Sequence, residues 1–174
     1  MGVEVDIRSD NGALVIHHDP FAPGDSFIDW IGHYHHGTLI LNVKEEGLES
    51  RLLDIMAQHG IDRFFFLDQS FPFLIHTARQ GERRSAVRVS EYEAIETALR
   101  VAPMVDWAWI DCFTRFPLTV AEAHRLSSAG LKLCLVSPEL HGREPSEIAD
   151  MRRLLEDQHI VIDAVCTKRA ELWS

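Results

Sequence analysis

The sequence predicts an α/β chain whose strands are mostly parallel and curl toward a barrel, opened by an N-terminal hairpin. Three observations carry this. Short apolar runs alternate with helical periods along the whole chain. Taking Leu41, Phe65, Val87, Trp109, Leu135 and Ala164 as centres, the runs recur at gaps of 24, 22, 22, 26 and 29 residues. The chain begins differently, with two strand-like runs joined through Asn11-Gly12. Alternating strands and helices imply right-handed crossovers and a parallel sheet. The regular repeat suits a nearly closed barrel better than an open doubly wound sheet.

The hairpin comes first. Val3 to Arg8 and Ala13 to His18 are joined by Ser9-Asp10-Asn11-Gly12, and Asn-Gly between apolar runs is a hairpin signal. The later strand candidates are Gly37 to Lys44, Ile61 to Asp68, Ala86 to Ser90, Val105 to Phe113, Leu131 to Ser137 and Ile160 to Thr167. Their apolar character on both faces is that of buried parallel strands. That gives seven parallel strands and one antiparallel partner.

The helices between them carry start and stop signals. Leu48, Leu52, Ile55 and Met56 form one apolar face with Gly60 after it, and Ile148, Met151, Leu154 and Leu155 form another. Ser90-x-x-Glu93 and Thr119-x-x-Glu122 have the spacing of capping boxes, and Ser70 precedes Phe71-Pro72 as a third cap.

Composition narrows the class. With 174 residues, 46% hydrophobic, the chain suits one domain spanning 1–174. Acidic residues number 27 against 17 basic, a net charge of -10, which argues against nucleic-acid partners. No apolar stretch approaches the roughly 18 residues of a membrane span. Cys112, Cys134 and Cys166 are isolated in apolar runs and read as buried reduced thiols. Met1 to Ile7 has no signal-peptide pattern, so a cytoplasmic location is expected. No nucleotide-binding glycine motif and no serine-hydrolase elbow is present.

Polar residues gather at the C-terminal ends of the strands, where barrel chemistry sits. Glu4 and Asp6 are two apart in a strand, so both carboxylates share one face. Such a pair suits a hard cation, although spacing alone favours a solvated first strand with ordinary acidic residues. His17-His18-Asp19-Pro20 ends the hairpin, and a histidine there suits proton transfer or a plain loop. Asn42 and Lys44 share a face, as do Trp109 and Asp111. Arg88 interrupts an apolar strand and Glu139 follows another. Lys44 and Arg88 could bind a phosphate, with a structural Arg88–Asp111 ion pair as the competing explanation. His33-x-His35-His36 precedes a strand, at the end away from the expected site, and reads as a solvated loop.

Three segments together resemble the glycerophosphodiester phosphodiesterase family. Glu4-Val5-Asp6, Asp10-Asn11-Gly12-Ala13-Leu14-Val15-Ile16 and His18-Asp19-Pro20 are similar to its E-x-D, D-G turn, apolar strand and H-D. Ile40-Leu41-Asn42-Val43-Lys44 resembles its N-I-E-I-K strand, and Asp163 to Lys168 its closing strand. The resemblance runs from about Gly2 to Trp173. It implies a TIM-type (β/α) barrel that cleaves phosphodiesters with Ca²⁺ or Mg²⁺. Glu4, Asp6 and Asn42 would hold the metal, and His18 would be one of two catalytic histidines. Lys44 would meet the phosphate, and strand position adds Arg88, Asp111 and Glu139 as substrate-side residues. The sequence departs from the pattern in three places. The H-R-G strand is missing, which implies an incomplete barrel without its first βα unit; complete barrels typically take about 250 residues. Asn42 stands where the family has a glutamate, and Asn11-Gly12 where it has D-G. The alternative reading is a catalytically impaired relative that binds a phosphorylated ligand or a partner protein. The open edges of an incomplete barrel call for cover, and a homodimer is one way to provide it.

Overall fold

The structure is a computed structural model that describes residues 1–174. It consists of two compact units, 1–85 and 86–174, each with its own sheet.

In the first unit five strands are ordered β3-β2-β1-β4-β5. β1 (Val3–Asp10) and β2 (Ala13–Ile16) form the expected hairpin, paired Asp10↔Ala13 through Ile7↔Ile16. Its turn has Asn11 at φ 48° and Gly12 at φ 82°, the doubly left-handed geometry of a two-residue I′ turn. β3 (Asp25–Ser26) and α1 (Phe27–Ile31) follow, with Ser26 accepting the Asp29 amide as an N-cap. Neither element was expected. Two residues are too few to show period-2 alternation, and five too few for a helical stripe. β4 (Leu39–Val43) lies parallel beside β1 in the register Val5↔Leu41 and Ile7↔Val43, and β5 (Phe64–Leu67) lies parallel beside β4. α2 (Glu49–Gln58) and α3 (Phe71–Arg79) are the crossover helices. Ser70 caps α3 through the Phe73 amide, as expected. Gly60 takes φ 64° beyond the end of α2, and Ile61 N donates to Met56 O, closing the helix as its sequence implies.

The pleat sorts the side chains of this sheet. Val5, Ile7, Leu39, Leu41, Val43, Phe64 and Phe66 point into one core, shared with Leu52, Ile55 and Met56 of α2 and Phe27 and Ile31 of α1. Their neighbours Glu4, Asp6, Ile40, Asn42, Phe65 and Leu67 occupy the opposite face.

The second unit is a wholly parallel sheet of β6 (Ala86–Val89), β7 (Trp107–Ile110), β8 (Lys132–Val136) and β9 (Ala164–Cys166) in sequence order. The crossover helices are α4 (Ile95–Val101), α5 (Val120–Ser128) and α6 (Glu147–Asp157). Thr119 and Glu122 make the expected capping box of α5. Ser90 and Glu93 do not cap α4. Ser90 Oγ donates to Glu93 Oε2 at 2.7 Å and accepts the Tyr92 amide, closing a turn, and the helix begins at Ile95. A serine and a glutamate three apart satisfy a local turn as readily as a first helical turn.

The seven expected parallel strands are present as β1, β4, β5, β6, β7, β8 and β9. Their hydrogen bonds divide into two sheets, where a single nearly closed barrel was expected; between β5 and the start of β6 there is only the isolated bridge Phe66↔Ser85 in place of a continuous ladder. The expected open edge beside β1 is filled by the chain itself, since β2 pairs with it and β3 pairs with β2. Cys112 and Cys134 are buried free thiols, and Cys166 is half-buried. No helix is long and apolar enough to cross a membrane.

Gly12→Val should lower stability by about 1–2 kcal/mol, the typical cost of a left-handed non-glycine residue. No atom lies within 4 Å of a Cβ placed there, so the loss would be backbone strain alone. Urea denaturation of the variant measures it.

Candidate functional site

The polar face of the first sheet is built by strand register. Asp6 pairs with Asn42 across β1 and β4, and Glu4 is two residues earlier on the same face. Asn42 Nδ2 donates to Glu4 Oε1 at 2.8 Å. Lys44, just past β4, places Nζ 3.2 Å from both Asp6 Oδ1 and Asp68 Oδ2. Asp68 follows β5 in the left-handed region at φ 59°, which aspartate tolerates better than most residues. The spacing argument had not singled out Asp68. Its position as the one charged residue closing an apolar run was the available signal.

Glu4 is largely buried, and burial raises its pKa above the ordinary carboxyl value. The Asn42 amide and the Lys44 ammonium pull it back down, while Asp6 and Asp68 push it further up. Its hydrogen-bond partner is thus a neutral amide, and the ammonium sits with the two aspartates. Asn42 Oδ1 is buried without a hydrogen-bond partner. Amide and carboxylate oxygens are the donor types that hard cations take. No three His, Cys, Asp or Glu side chains group as a metal site.

His18 stands apart from this network. Its side chain is 73% exposed, and Nδ1 lies 2.9 Å from Asp19 Oδ1. That hydrogen bond lowers the Asp19 pKa, and with Nδ1 turned to the carboxylate Nε2 is the other ring nitrogen. Arg8 Nε donates to the His18 carbonyl at 3.0 Å and fixes the loop backbone. His17 Nδ1 accepts the Asp19 amide at 3.0 Å. His33, His35 and His36 are exposed, as expected of a loop.

In the second unit Arg88 and Trp109 are register partners, and Asp111 lies two residues beyond Trp109 on the same face. Arg88 Nη1 is 3.4 Å from Asp111 Oδ2, so the structural ion pair set against a phosphate role is present. The other carboxylate oxygen lies 2.5 Å from His141 Nε2. His141 follows β8 in a 3₁₀ turn, Pro138–His141, and had not been singled out; a histidine in a turn carries no spacing signal. Glu139, in the same turn, accepts from the Ser137 hydroxyl, from Thr167 Oγ1 at 2.5 Å and from the Lys168 amide at 3.1 Å. Burial raises the Glu139 pKa, but those donors together bring it below the ordinary value. Its carboxylate joins the ends of β8 and β9, and Trp173 Nε1 donates to Ser137 Oγ at 2.8 Å.

Glu91 organises the loop after β7. It accepts the amides of Phe113, Thr114 and Arg115 and the Thr114 hydroxyl. Burial alone would raise its pKa; the Thr114 and Arg115 amides, its own amide and the Thr114 hydroxyl bring it down to about 2. The loop presents the Phe113 ring 4.6 Å from the His141 ring.

The fold has solved relatives. A glycerophosphodiester phosphodiesterase from Agrobacterium tumefaciens superposes with a TM-score of 0.71 at 12% identity, covering 99% of this chain and 86% of that one. A Galdieria sulphuraria protein assigned to the same enzyme class gives 0.68 at 16% identity, covering 99% and 85%. A second Agrobacterium tumefaciens protein assigned to that class gives 0.64 at 14% identity, covering 94% and 80%. The chain shares the α/β fold of these proteins. No protein-family model and no curated protein matches the sequence.

Because the Glu91 pKa is depressed, its ionised form favours the folded state above the ordinary carboxyl value near 4.5, and that contribution disappears as pH falls toward about 2. Glu91→Gln should therefore lower the urea midpoint at pH 7. The gap from wild type should narrow steadily below pH 4.5. A gap that stays constant down to pH 2.5 would place the effect elsewhere.

Proposed function

We propose that this chain is a divergent member of the glycerophosphodiester phosphodiesterase family and hydrolyses a phosphodiester. The observation that carries the reading is the strand-end group of Glu4, Asp6, Asn42 and Lys44, in which the Asn42 amide bonds Glu4, its oxygen is buried without a partner, and Lys44 pairs with Asp6. The shared fold with phosphodiesterases supports it.

Glu4, Asp6 and the Asn42 amide oxygen are the residues we assign to Ca²⁺ or Mg²⁺. When bound, such an ion supplies charge neutralisation of the phosphate oxygens. The remaining work belongs to the chain. Lys44, held between Asp6 and Asp68, presents a positioned ammonium to a phosphate oxygen. His18, with Nδ1 turned to Asp19, exchanges protons at Nε2. Arg88 of the second unit is held by Asp111, the structural pairing that competes with a substrate-side role for it. Glu139 holds the β8 and β9 ends on which the substrate-side loops rest. The substrate is a small soluble phosphodiester.

A second reading is binding without turnover of a phosphorylated ligand. It is favoured by Asn42, which supplies an oxygen but no charge where a carboxylate would hold a cation more strongly.

Wild type should bind Ca²⁺ or Mg²⁺ in calorimetry, and a Glu4→Ala, Asp6→Ala double variant should not. Equal heats from both proteins would exclude this site. In a phosphodiester assay with the metal present, Lys44→Ala and His18→Ala should each reduce kcat/KM by roughly 100-fold or more. Metal binding and phosphate binding without turnover by wild type would favour the second reading. Undiminished turnover by His18→Ala would remove that residue from the chemistry.

A further inference from the structure

The polar face of the first sheet extends one side chain beyond the strand-end group. Glu4, Asp6 and Arg8 alternate along β1, so Arg8 shares the face of the two carboxylates. Its side chain is 16% exposed, which is low for an arginine near a strand end. Its donors go to the backbone of two residues already placed in the chemistry. Nε donates to the His18 carbonyl at 3.0 Å, and Nη1 donates to the Lys44 carbonyl at 3.4 Å. One guanidinium therefore joins the loop after β2 to the end of β4.

The surroundings hold that guanidinium in turn. Glu45 Oε1 lies 3.9 Å from Nη1. Glu45 is fixed by the Ser9 amide at 3.0 Å and the Ser9 hydroxyl at 2.6 Å. On the loop side the charge of Arg8 also reaches Asp19, whose pKa the His18 bond lowers most and Arg8 lowers further. A guanidinium presents its donors in a rigid planar fork, so two carbonyls bound by it are held at one spacing. An ammonium on a flexible stem gives no such fork. The two tied residues differ in what else holds them. Lys44 Nζ is also held by Asp6 and Asp68, each at 3.2 Å. The His18 side chain is 73% exposed and meets only its neighbour Asp19. Loss of the fork would therefore release mainly His18.

We infer that Arg8 is a positioning residue that sets His18 relative to Lys44 by holding both carbonyls with one guanidinium. The inference rests on the phosphodiesterase reading and deepens it by naming what keeps the proton-exchanging group in place beside the phosphate-binding one. Arg8 acts through these two residues and not on the ester. A shift of about 1 Å in a reacting group can cost on the order of 100-fold in rate. The loss of Arg8 should accordingly fall on kcat, while Lys44, still paired with two aspartates, keeps substrate binding.

Arg8→Lys keeps the charge and removes the fork. With Ca²⁺ or Mg²⁺ present and glycerophosphoethanolamine as substrate, kcat should fall roughly tenfold or more, with KM within about threefold of wild type. A purely structural role would not confine the loss to kcat, and it would not depend on His18. In a His18→Ala background, adding Arg8→Lys should change kcat by less than about threefold. Glu45→Gln, which loosens the guanidinium from outside, should show the same kcat loss to a smaller degree. It serves as the second variant if Arg8→Lys lowers the urea midpoint severely. Unchanged kcat in both variants, a change in KM alone, or equal losses with and without His18 would overturn the role while leaving the phosphodiesterase reading intact. If wild type shows no turnover of this ester or of a nitrophenyl phosphodiester, that reading itself fails and the assignment falls with it.

Discussion

The structure depends on parallel strands paired in register, so that period-2 alternation on one strand lines up with period-2 alternation on the next. In the first unit, Val5 beside Leu41 and Ile7 beside Val43 commit one face to the core. The same register commits Glu4, Asp6 and Asn42 to the other face, with Lys44 just beyond. A slip of one residue would bury carboxylates among Phe64, Phe66 and Leu41 and expose the core residues. Burying unpaired charge costs far more than any single contact here returns. The chemistry and the core are therefore fixed together.

Electrostatics then shapes what the strand ends can do. The chain carries ten more acidic than basic residues. Each partly buried carboxylate near the strand ends is handled differently. Asp6 meets an ammonium, Asp111 a guanidinium and an imidazole, Glu91 a set of backbone amides, and Glu139 two hydroxyls and an amide. Glu4 has the amide of Asn42 as its hydrogen-bond partner, and burial raises its pKa despite that bond. Two histidine–aspartate pairs also differ. His18 and Asp19 are sequence neighbours on an exposed loop, whereas His141 and Asp111 come from separate strand ends around a nearly buried carboxylate.

Several features were legible without coordinates. The Asn11-Gly12 turn, the Thr119–Glu122 capping box and the Ser70 cap are local chemistry, and the structure contains all three. The seven parallel strands were legible from their spacing, although runs such as Val105 to Phe113 overstated their length. β7 keeps only Trp107–Ile110; the Asp111 amide still bonds Val89 O, and Glu91 draws Phe113 to Arg115 into a loop. Ser90-x-x-Glu93 misled, since the same two side chains close a turn ahead of α4. The short elements β3 and α1 left no period to read. Asp68 and His141 left no motif, because their importance lies in what stands across from them.

By itself the sequence determined the alternation of strands and helices, the opening hairpin, the shared face of Glu4 and Asp6, and the order of motifs that resembles a phosphodiesterase. Those properties are set by neighbours within a few residues, where backbone geometry and side-chain period are fixed locally. Only the tertiary structure decided that the ladders form two sheets, that β2 covers the edge of β1, and that Lys44 joins Asp6 to Asp68. It alone brought His141 to Asp111. These contacts join residues 24 to 38 apart in the chain, or closer ones through a chosen register. Their free energy depends on burial and on paired charge, quantities that exist only once distant segments have packed together.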